Sequence, residues 1–268
     1  MGAPNEPLPR KTLPIFFVLD TSGSMLGDPK ATDDKSRPIS KLNEAISETI
    51  QALRDEAVAN ADAKLECAIL EFNSGAEWVT KYGLEDLTED FIVPPLEAGG
   101  LTDVGEALKQ LNSKLSRKNG GFLGGAMGNY MPVIIFMSDG YPTSEWQKPL
   151  EDIRKNSWYK HAIKIAFALG DADISVLASL VGSVEGVIKT SDLDLFKRML
   201  RFVTVTASKV GSVSRTPEER PAQKEIQIRF EDEFGDVTPN ESELDGETFI
   251  PVPLPKGDPD WPDDEIWE

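Results

Sequence analysis

From Leu13 to about Lys209 the chain alternates between two kinds of apolar pattern. The first is the unbroken run. Leu13-Pro-Ile-Phe-Phe-Val-Leu19 is closed by Asp20 and a glycine-containing turn, as expected of a strand buried on both faces. Leu65 to Phe72, Met131 to Met137 and Ile163 to Leu169 repeat that pattern, and Val184 to Lys189 is a shorter version. Glu77 to Tyr82 reads as an edge strand paired to the second run. The other pattern has helical spacing: Ile39, Leu42, Ile46, Ile50, Leu53 and Ala57, with Ser40 as the expected N-cap. Val104, Leu108, Leu111 and Leu115 mark a second helix. Further helices are predicted around Leu150 and Ile153, over Ile174 to Val181, and over Leu193 to Ala207. Continuous apolar strands separated by amphipathic helices predict an α/β fold, a doubly wound, mostly parallel sheet covered on both faces.

Beyond Ser208 the character changes. Residues 1–12 read as a lead, 13–209 as one α/β domain, and 210–268 as an acidic, proline-rich C-terminal tail. Of the net charge of −18, residues 211–268 carry −12, from 17 acidic and 5 basic side chains. Within the tail, Lys224-Glu-Ile-Gln-Ile-Arg-Phe230 alternates like a strand, and Thr248 to Val252 resembles another. The remainder is too polar to fold by itself. Trp261-Pro-Asp-Asp-Glu-Ile-Trp-Glu268 sets two tryptophans among carboxylates. It reads either as a short docking peptide or as a tail that packs its tryptophans on its own domain. The charge serves solubility, or it favours a cation or a basic protein surface; it disfavours nucleic acid and anionic membranes.

The first strand runs directly into Asp20-Thr-Ser22-Gly-Ser24-Met25. Asp20 supplies an anionic oxygen, and the hydroxyls of Ser22 and Ser24 supply neutral ones. Gly23 permits the tight course that aims both hydroxyls at one point. Such an oxygen-only set suits Mg2+ or Mn2+ rather than zinc. Gly99-Gly-Leu-Thr102-Asp103 opens the second helix. Asp103 and Glu106 have the spacing of an N-cap and its N3 partner, which leaves Thr102 and the paired glycines unexplained. Met131-Pro-Val-Ile-Ile-Phe-Met-Ser-Asp139-Gly140 places a second carboxylate at the end of another buried strand. In a doubly wound sheet, ligands sit beyond the carboxyl ends of the strands, where strand order reverses. If the strands ending at Asp20 and Asp139 are neighbours, their loops meet there, and a loop carrying Thr102 can reach the same edge.

D-T-S-G-S-M, G-G-x-T and S-D-G resemble the metal-ion-dependent adhesion site of von Willebrand factor A (vWA) domains, over about Leu13 to Lys209. The resemblance implies that Asp20, Ser22, Ser24, Thr102 and Asp139 surround Mg2+, with Mn2+ or Ca2+ as substitutes, some through water. It implies an open position for an Asp or Glu of a protein partner. Within the family the chain is similar to bacterial TerY-like proteins of the tellurium-resistance group, through Leu13–Met25, Pro94–Thr102 and Ser138–Trp146. That likeness implies an adaptor in a stress-response or signalling system, with a kinase- or phosphatase-type partner, or a subunit of a chelatase-type complex. Two features depart from the pattern. Lys30 to Pro38 is an extra polar stretch bearing Asp33 and Asp34 at the expected rim of the site, and the acidic tail aligns with nothing in the family. Asp103, Asp33, Asp34, Trp261 and Trp267 are the candidate partner contacts. The tail's carboxylates are also able to occupy the open metal position in cis. Replacing Asp20 by Ala is expected to abolish metal-dependent binding and to leave the fold intact.

The rival reading is a Mg2+-dependent phosphohydrolase. The one histidine, His161, sits at an expected strand start, and no G-x-x-x-x-G-K-[ST] phosphate loop occurs. The glycine-rich stretch from Gly120 to Gly128 precedes a strand, whereas a phosphate cradle follows one. Ser22 and Ser24 have no general base in view, since metal ligation claims Asp20. A binding module rather than an enzyme is therefore expected. The single cysteine, the lack of a basic-then-apolar leader and the strand-length apolar runs point to a cytoplasmic protein without a membrane span.

Overall fold

A computed structural model describes residues 10–28, 34–80, 82–118, 120–124, 127–212, 221–235, 238–246 and 248–250. In chain order the strands and α-helices are β1 (Lys11–Asp20), α1 (Pro38–Ala59), β2 (Ala63–Phe72), β3 (Ala76–Trp78), β4 (Glu85–Asp86), α2 (Val104–Lys114), β5 (Val133–Ser138), α3 (Gln147–Ile153), α4 (Ser157–His161), β6 (Ile163–Leu169), α5 (Ile174–Val181), β7 (Val187–Thr190), α6 (Leu193–Gly211) and α7 (Ala222–Phe234). Between β1 and α1 lie two 3-10 turns, Gly23–Leu26 and Asp34–Ser36.

The strands form one sheet in the order β3-β2-β1-β5-β6-β7, with β4 also paired to β2. β1, β2, β5, β6 and β7 are parallel, and the short β3 and β4 run antiparallel to β2. The apolar runs are continuous because both faces are covered, and alternate side chains divide between two cores. Leu13, Ile15, Phe17 and Leu19 enter one core with α1, α6 and α7; Phe16 and Val18 enter the other with α2, α3, α4 and α5. The same parity holds in β5, where Val133, Ile135 and Met137 face the first core and Ile134 and Phe136 the second. After β1 the chain builds outward to β2, then returns to lay β5 on the other side of β1. This reversal creates the crevice beyond the carboxyl ends of β1 and β5.

Several local expectations are corrected, among them the edge strand expected at 77–82, which is β3 at Ala76–Trp78. α1 starts at Pro38 with Arg37 in the cap position, and not with Ser40 as cap. Proline at the first helical position gives up an N–H that has no partner there and brings a preset φ. β7 begins at Val187, because Val184–Gly186 form a 3-10 turn. The strand expected at 224–230 is helix α7. Spacing by two caught Ile226, Ile228 and Phe230, but spacing by four gathers Ile226, Phe230 and Phe234 on one helical face. Ile226 and Phe230 are buried in the first core. Phe234 stacks near Phe202 and Phe230, with ring centroids 5.3 and 4.9 Å apart. The Gln223 amide accepts from the Lys164 N–H at 3.0 Å and donates to its carbonyl at 2.5 Å, tying α7 to β6. Pro221 before the helix and Gly235 after it, at φ 78°, were the punctuation that spacing by two ignored.

Residues 248–250 form no strand, and 251–252 lie outside the described residues. The chain there runs along α5: Asp245 N–H donates to Ser175 Oγ at 2.7 Å and Ile250 N–H to Ser179 Oγ at 2.9 Å. Arg154 closes the strap by donating to the carbonyls of Ser179 and Ile250. Leu244, Phe249 and Ile250 pack against the second core. Residues 222–234 and 244–250 therefore cover parts of both faces. Phe230→Ala is expected to lower the unfolding free energy by about 3 kcal/mol, as for other buried phenylalanines. Urea denaturation measures this, and an unchanged midpoint would detach α7 from the core.

Candidate metal centre

β1 and β5 pair in register from Ile15↔Val133 to Leu19↔Met137. One residue further on, Ser138 Oγ donates to Asp20 Oδ2 at 2.6 Å. The other carboxylate oxygen, Oδ1, accepts from the Ser22 N–H at 2.8 Å. Asp20 is thus completely buried and held at both oxygens. The chain then tightens into the Gly23–Leu26 turn, which swings Ser24 back over Ser22, with their hydroxyls 2.9 Å apart. Ser24 Oγ donates to Asp139 Oδ1 at 2.7 Å.

Thr102 arrives on a loop stitched to the same edge. Gly99 N–H donates to the Thr21 carbonyl at 2.8 Å, and Gly23 N–H to the Gly100 carbonyl at 3.1 Å. Gly100 has φ 79°, and a Cβ there would stand 2.5 Å from Ser74 Oγ, so position 100 requires glycine on both counts. Thr143 fixes Thr102 twice: its Oγ1 accepts from the Thr102 N–H and its N–H donates to the Thr102 carbonyl, both at 3.0 Å. A Cβ placed on Gly140 would lie 3.4 Å from Ser24 Oγ and 3.8 Å from Thr102 Oγ1. The bare glycine keeps open the space that the two hydroxyls border.

The five residues expected as ligands, Asp20, Ser22, Ser24, Thr102 and Asp139, thus come together from three loops. The expected rim residues fare differently. Asp103 Oδ1 caps α2, accepting from the Glu106 N–H at 2.9 Å and from Ser144 Oγ at 2.5 Å. Asp34 opens the 3-10 turn 34–36. Asp33, Trp261 and Trp267 lie outside the described residues. Sequence reasoning overlooked the supports Ser138, Thr143, Ser144 and Ser74. The only signal for the first three was the run of hydroxyls in Ser138-Asp-Gly-Tyr-Pro-Thr-Ser144.

The site disfavours negative charge. Burial raises the Asp20 carboxyl above its ordinary value, and hydrogen bonds from Ser138 and Ser22 counter this only in part. Burial, with the Asp20 charge adding, pushes Asp139 up to about 6. A divalent cation would relieve both. Among the described residues no group of three or more His, Cys, Asp or Glu is placed to hold a metal. Any ion here would take two carboxylates and complete its shell from hydroxyls and water. That donor set, all oxygen, and the space kept by Gly140 fit a hard divalent ion.

Residues 15–141 match the family model for the von Willebrand factor type A domain. The family match and the fold together support a vWA domain. Similar solved structures include a von Willebrand factor type A protein from Catenulispora acidiphila, at 17% identity and TM-score 0.54, covering 73% of this chain and 42% of that one. Proximal thread matrix protein 1 from the mussel byssus, described with a zinc-occupied MIDAS motif, matches at 16% identity and TM-score 0.53, over 73% of this chain and 48% of its own. The ArnB paralog VWA2 from Sulfolobus acidocaldarius matches at 16% and 0.50, over 72% and 45%. The chain spans less than half the length of these three structures, and at such identities the likeness is one of fold. No curated protein matches the chain. Among the described residues, no helix of this chain is long and apolar enough to cross a membrane.

The raised Asp139 has a consequence for stability. A carboxyl with a raised folded-state pKa contributes stability that is complete below its ordinary 3.8 and is lost as pH rises through about 6. Asp139→Asn keeps an acceptor for Ser24 and removes the charge. In chelator, the variant is expected to melt above the wild type at pH 7.5, with the gap closing as pH falls below about 6. Thermal unfolding across pH measures this; a gap that ignores pH would contradict the assignment.

Proposed function

We propose that this vWA domain binds a protein partner through a divalent metal held by Asp20, Ser22, Ser24, Thr102 and Asp139. The family often mediates protein–protein interactions. The observation that carries the reading is the convergence of these five oxygen donors, from three loops, at the point where strand order reverses. When bound, the ion supplies positive charge and an open coordination position for a carboxylate. The chain's own residues do the rest. Asp20 and Asp139 give at most two negative charges, which just balance a divalent ion, and the hydroxyls of Ser22, Ser24 and Thr102 add none. A site so balanced accepts one further anion, an Asp or Glu side chain of the partner.

The surface around the donors supports a protein as that partner. Leu26 is 42% exposed, Leu101 59% and Tyr141 64%, and each stands within two residues of Ser24, Thr102 or Asp139. Exposed apolar side chains at the mouth of a polar site are the composition of an interface rather than of a small-anion pocket.

Binding is favoured over hydrolysis because the carboxylate that meets the serines, Asp139, is itself one of the proposed metal donors. Their hydroxyls contact each other and Asp139. His161 ends α4, just before β6 begins, at the opposite edge of the sheet from Asp20. Mg2+ is the ion we assign, although the relative with a zinc-occupied motif indicates that zinc belongs in the comparison. The finer role is an adaptor in a bacterial stress-response or signalling system of the TerY-like kind, with a kinase- or phosphatase-type partner.

Asp20→Ala is now a poor test. It would leave the Ser22 N–H and Ser138 hydroxyl without their buried acceptor, at about 1–3 kcal/mol each. Ser24 is exposed and removable. Calorimetric titration with Mg2+, Mn2+ and Zn2+ is expected to show one site in the wild type, weakened at least about tenfold in Ser24→Ala. Capture from host lysate with Mg2+ and with EDTA should then give a partner only for metal-loaded wild type. Absence of a saturable site, or a partner indifferent to EDTA and to Ser24→Ala, would overturn the reading.

A further inference from the structure

The edge of the sheet beyond β3 has the form of a docking groove. β3 is the last strand in the order, with β2 its one partner among the described residues. Val79 N–H donates to the Ile69 carbonyl at 2.9 Å and Asn73 N–H to the Gly75 carbonyl at 2.8 Å. Bonds toward β2 alternate along an antiparallel strand, so the N–H and C=O groups of Ala76 and Trp78 point away from β2, to the open side. An edge of this kind is a template for an extended segment of another chain.

Beside that edge lies a cleft of about 590 Å3, with Glu71 of β2 and Glu77 of β3 on one side and residues 94–100 on the other. The 94–100 wall is fixed in place. The Asn43 amide donates to the Leu96 carbonyl at 3.0 Å and accepts from its N–H at 2.8 Å, and Gly99 N–H donates to the Thr21 carbonyl at 2.8 Å. A ligand therefore meets a cleft that is already formed. Its charge is of one sign. Glu71, Glu77 and Glu97 line it, and among the described residues no Lys, Arg or His does. Glu71 and Glu77 are paired directly across the two strands, where like charges weaken the pairing. Burial, with the charges of Glu77 and Glu97 adding, raises the Glu71 carboxyl. None of the three side chains has a hydrogen bond or ion pair among the described residues, and no group of three or more acids there is placed to hold a metal. Separate cations spaced along a chain fit the cleft better than one ion.

We propose that this groove docks an extended segment of a protein partner that carries Lys or Arg at alternate positions. The segment's backbone pairs with Ala76 and Trp78 along the free edge of β3. Directly opposed residues of neighbouring strands share a face, so the residue beside Glu77, and every second one from it, turns its cation toward the carboxylates of the cleft. The wall at 94–100 runs on into Thr102, so a partner seated here borders the candidate metal site. The groove itself uses no metal, and its occupation is independent of the reading above.

The test uses the full chain in EDTA and, as probe, a short labelled peptide of alternating arginine and valine. On titration the amide signals of Ala76 and Trp78 are expected to shift, and that of Lys189, on β7 at the other edge, to stay. The variant Glu71→Gln/Glu77→Gln/Glu97→Gln should bind the peptide at least about tenfold more weakly by fluorescence anisotropy. It removes a like-charge contact, so it should melt no lower than the wild type. Glu97→Gln alone, on an exposed side chain outside the sheet, is the second variant and should cost about threefold. Glu231→Gln/Asp232→Asn/Glu233→Gln takes the same charge from the exposed side of α7 and should change the affinity by less than about twofold. The same peptide N-methylated throughout keeps its charge, loses its N–H donors, and should bind at least about tenfold more weakly. Equal weakening by the β3 and α7 charge variants would reduce the effect to attraction by net charge and overturn the groove. An N-methylated peptide that binds as tightly as its parent, or unmoved amides at Ala76 and Trp78, would overturn the strand pairing and the proposal with it.

Discussion

The candidate site depends on the parallel register between β1 and β5. Because Leu19 pairs with Met137, the next residue of each strand is a polar side chain at the same height, and Ser138 meets Asp20 at 2.6 Å. A slip by one residue would turn Asp20 and Ser138 to opposite faces of the sheet and push apolar side chains into the crevice. The register is itself fixed by burial. Leu13, Ile15, Phe17 and Leu19 belong to one core while Phe16 and Val18 belong to the other, and all are at most 1% exposed. The packing that stabilises the fold therefore also places the carboxylates.

Much of the architecture was legible because two-sided burial leaves an unmistakable trace, the unbroken apolar run. β1, β2, β5 and β6 were read from it. The trace failed where a segment is buried on one side only. In α7, Ile226, Ile228 and Phe230 satisfy spacing by two, and Ile226, Phe230 and Phe234 satisfy spacing by four. Local sequence does not choose between them; docking on Phe202 and on the backbone of Lys164 does. At the site, the candidate donors could be read because three separate segments, at Asp20 to Ser24, at Thr102 and at Asp139, match together; Asp-x-Ser-x-Ser alone is also an ordinary strand-ending turn. Their supports could not. Ser138 and Thr143 act through contacts with residues 118 and 41 positions away, Asp20 and Thr102, and such pairings exist only in the folded sheet. Asp103 shows the reverse case, where the local capping pattern was correct.

The electrostatics of the crevice explain why a site of this kind needs to be preassembled. Two carboxyls raised by burial are strained as anions, and the neighbouring hydroxyls stabilise them only partly. A divalent ion or protonation would relieve the strain, and the two would compete for the same oxygens. The hydroxyls suit either state, since Ser24 can donate to Asp139 or turn its lone pairs elsewhere. Gly100 and Gly140 allow the three loops to close this tightly without side chains filling the gap between them.

The charge balance then decides what the mouth of the site can accept. A divalent ion held by two carboxylates and neutral hydroxyls would have no net charge left to attract ligands over a distance, and the surrounding chain, at −18, repels acidic ones. An acidic ligand must therefore gain its affinity at contact. Coordination would supply part, and the exposed apolar neighbours Leu26, Leu101 and Tyr141 would supply the remainder by losing water.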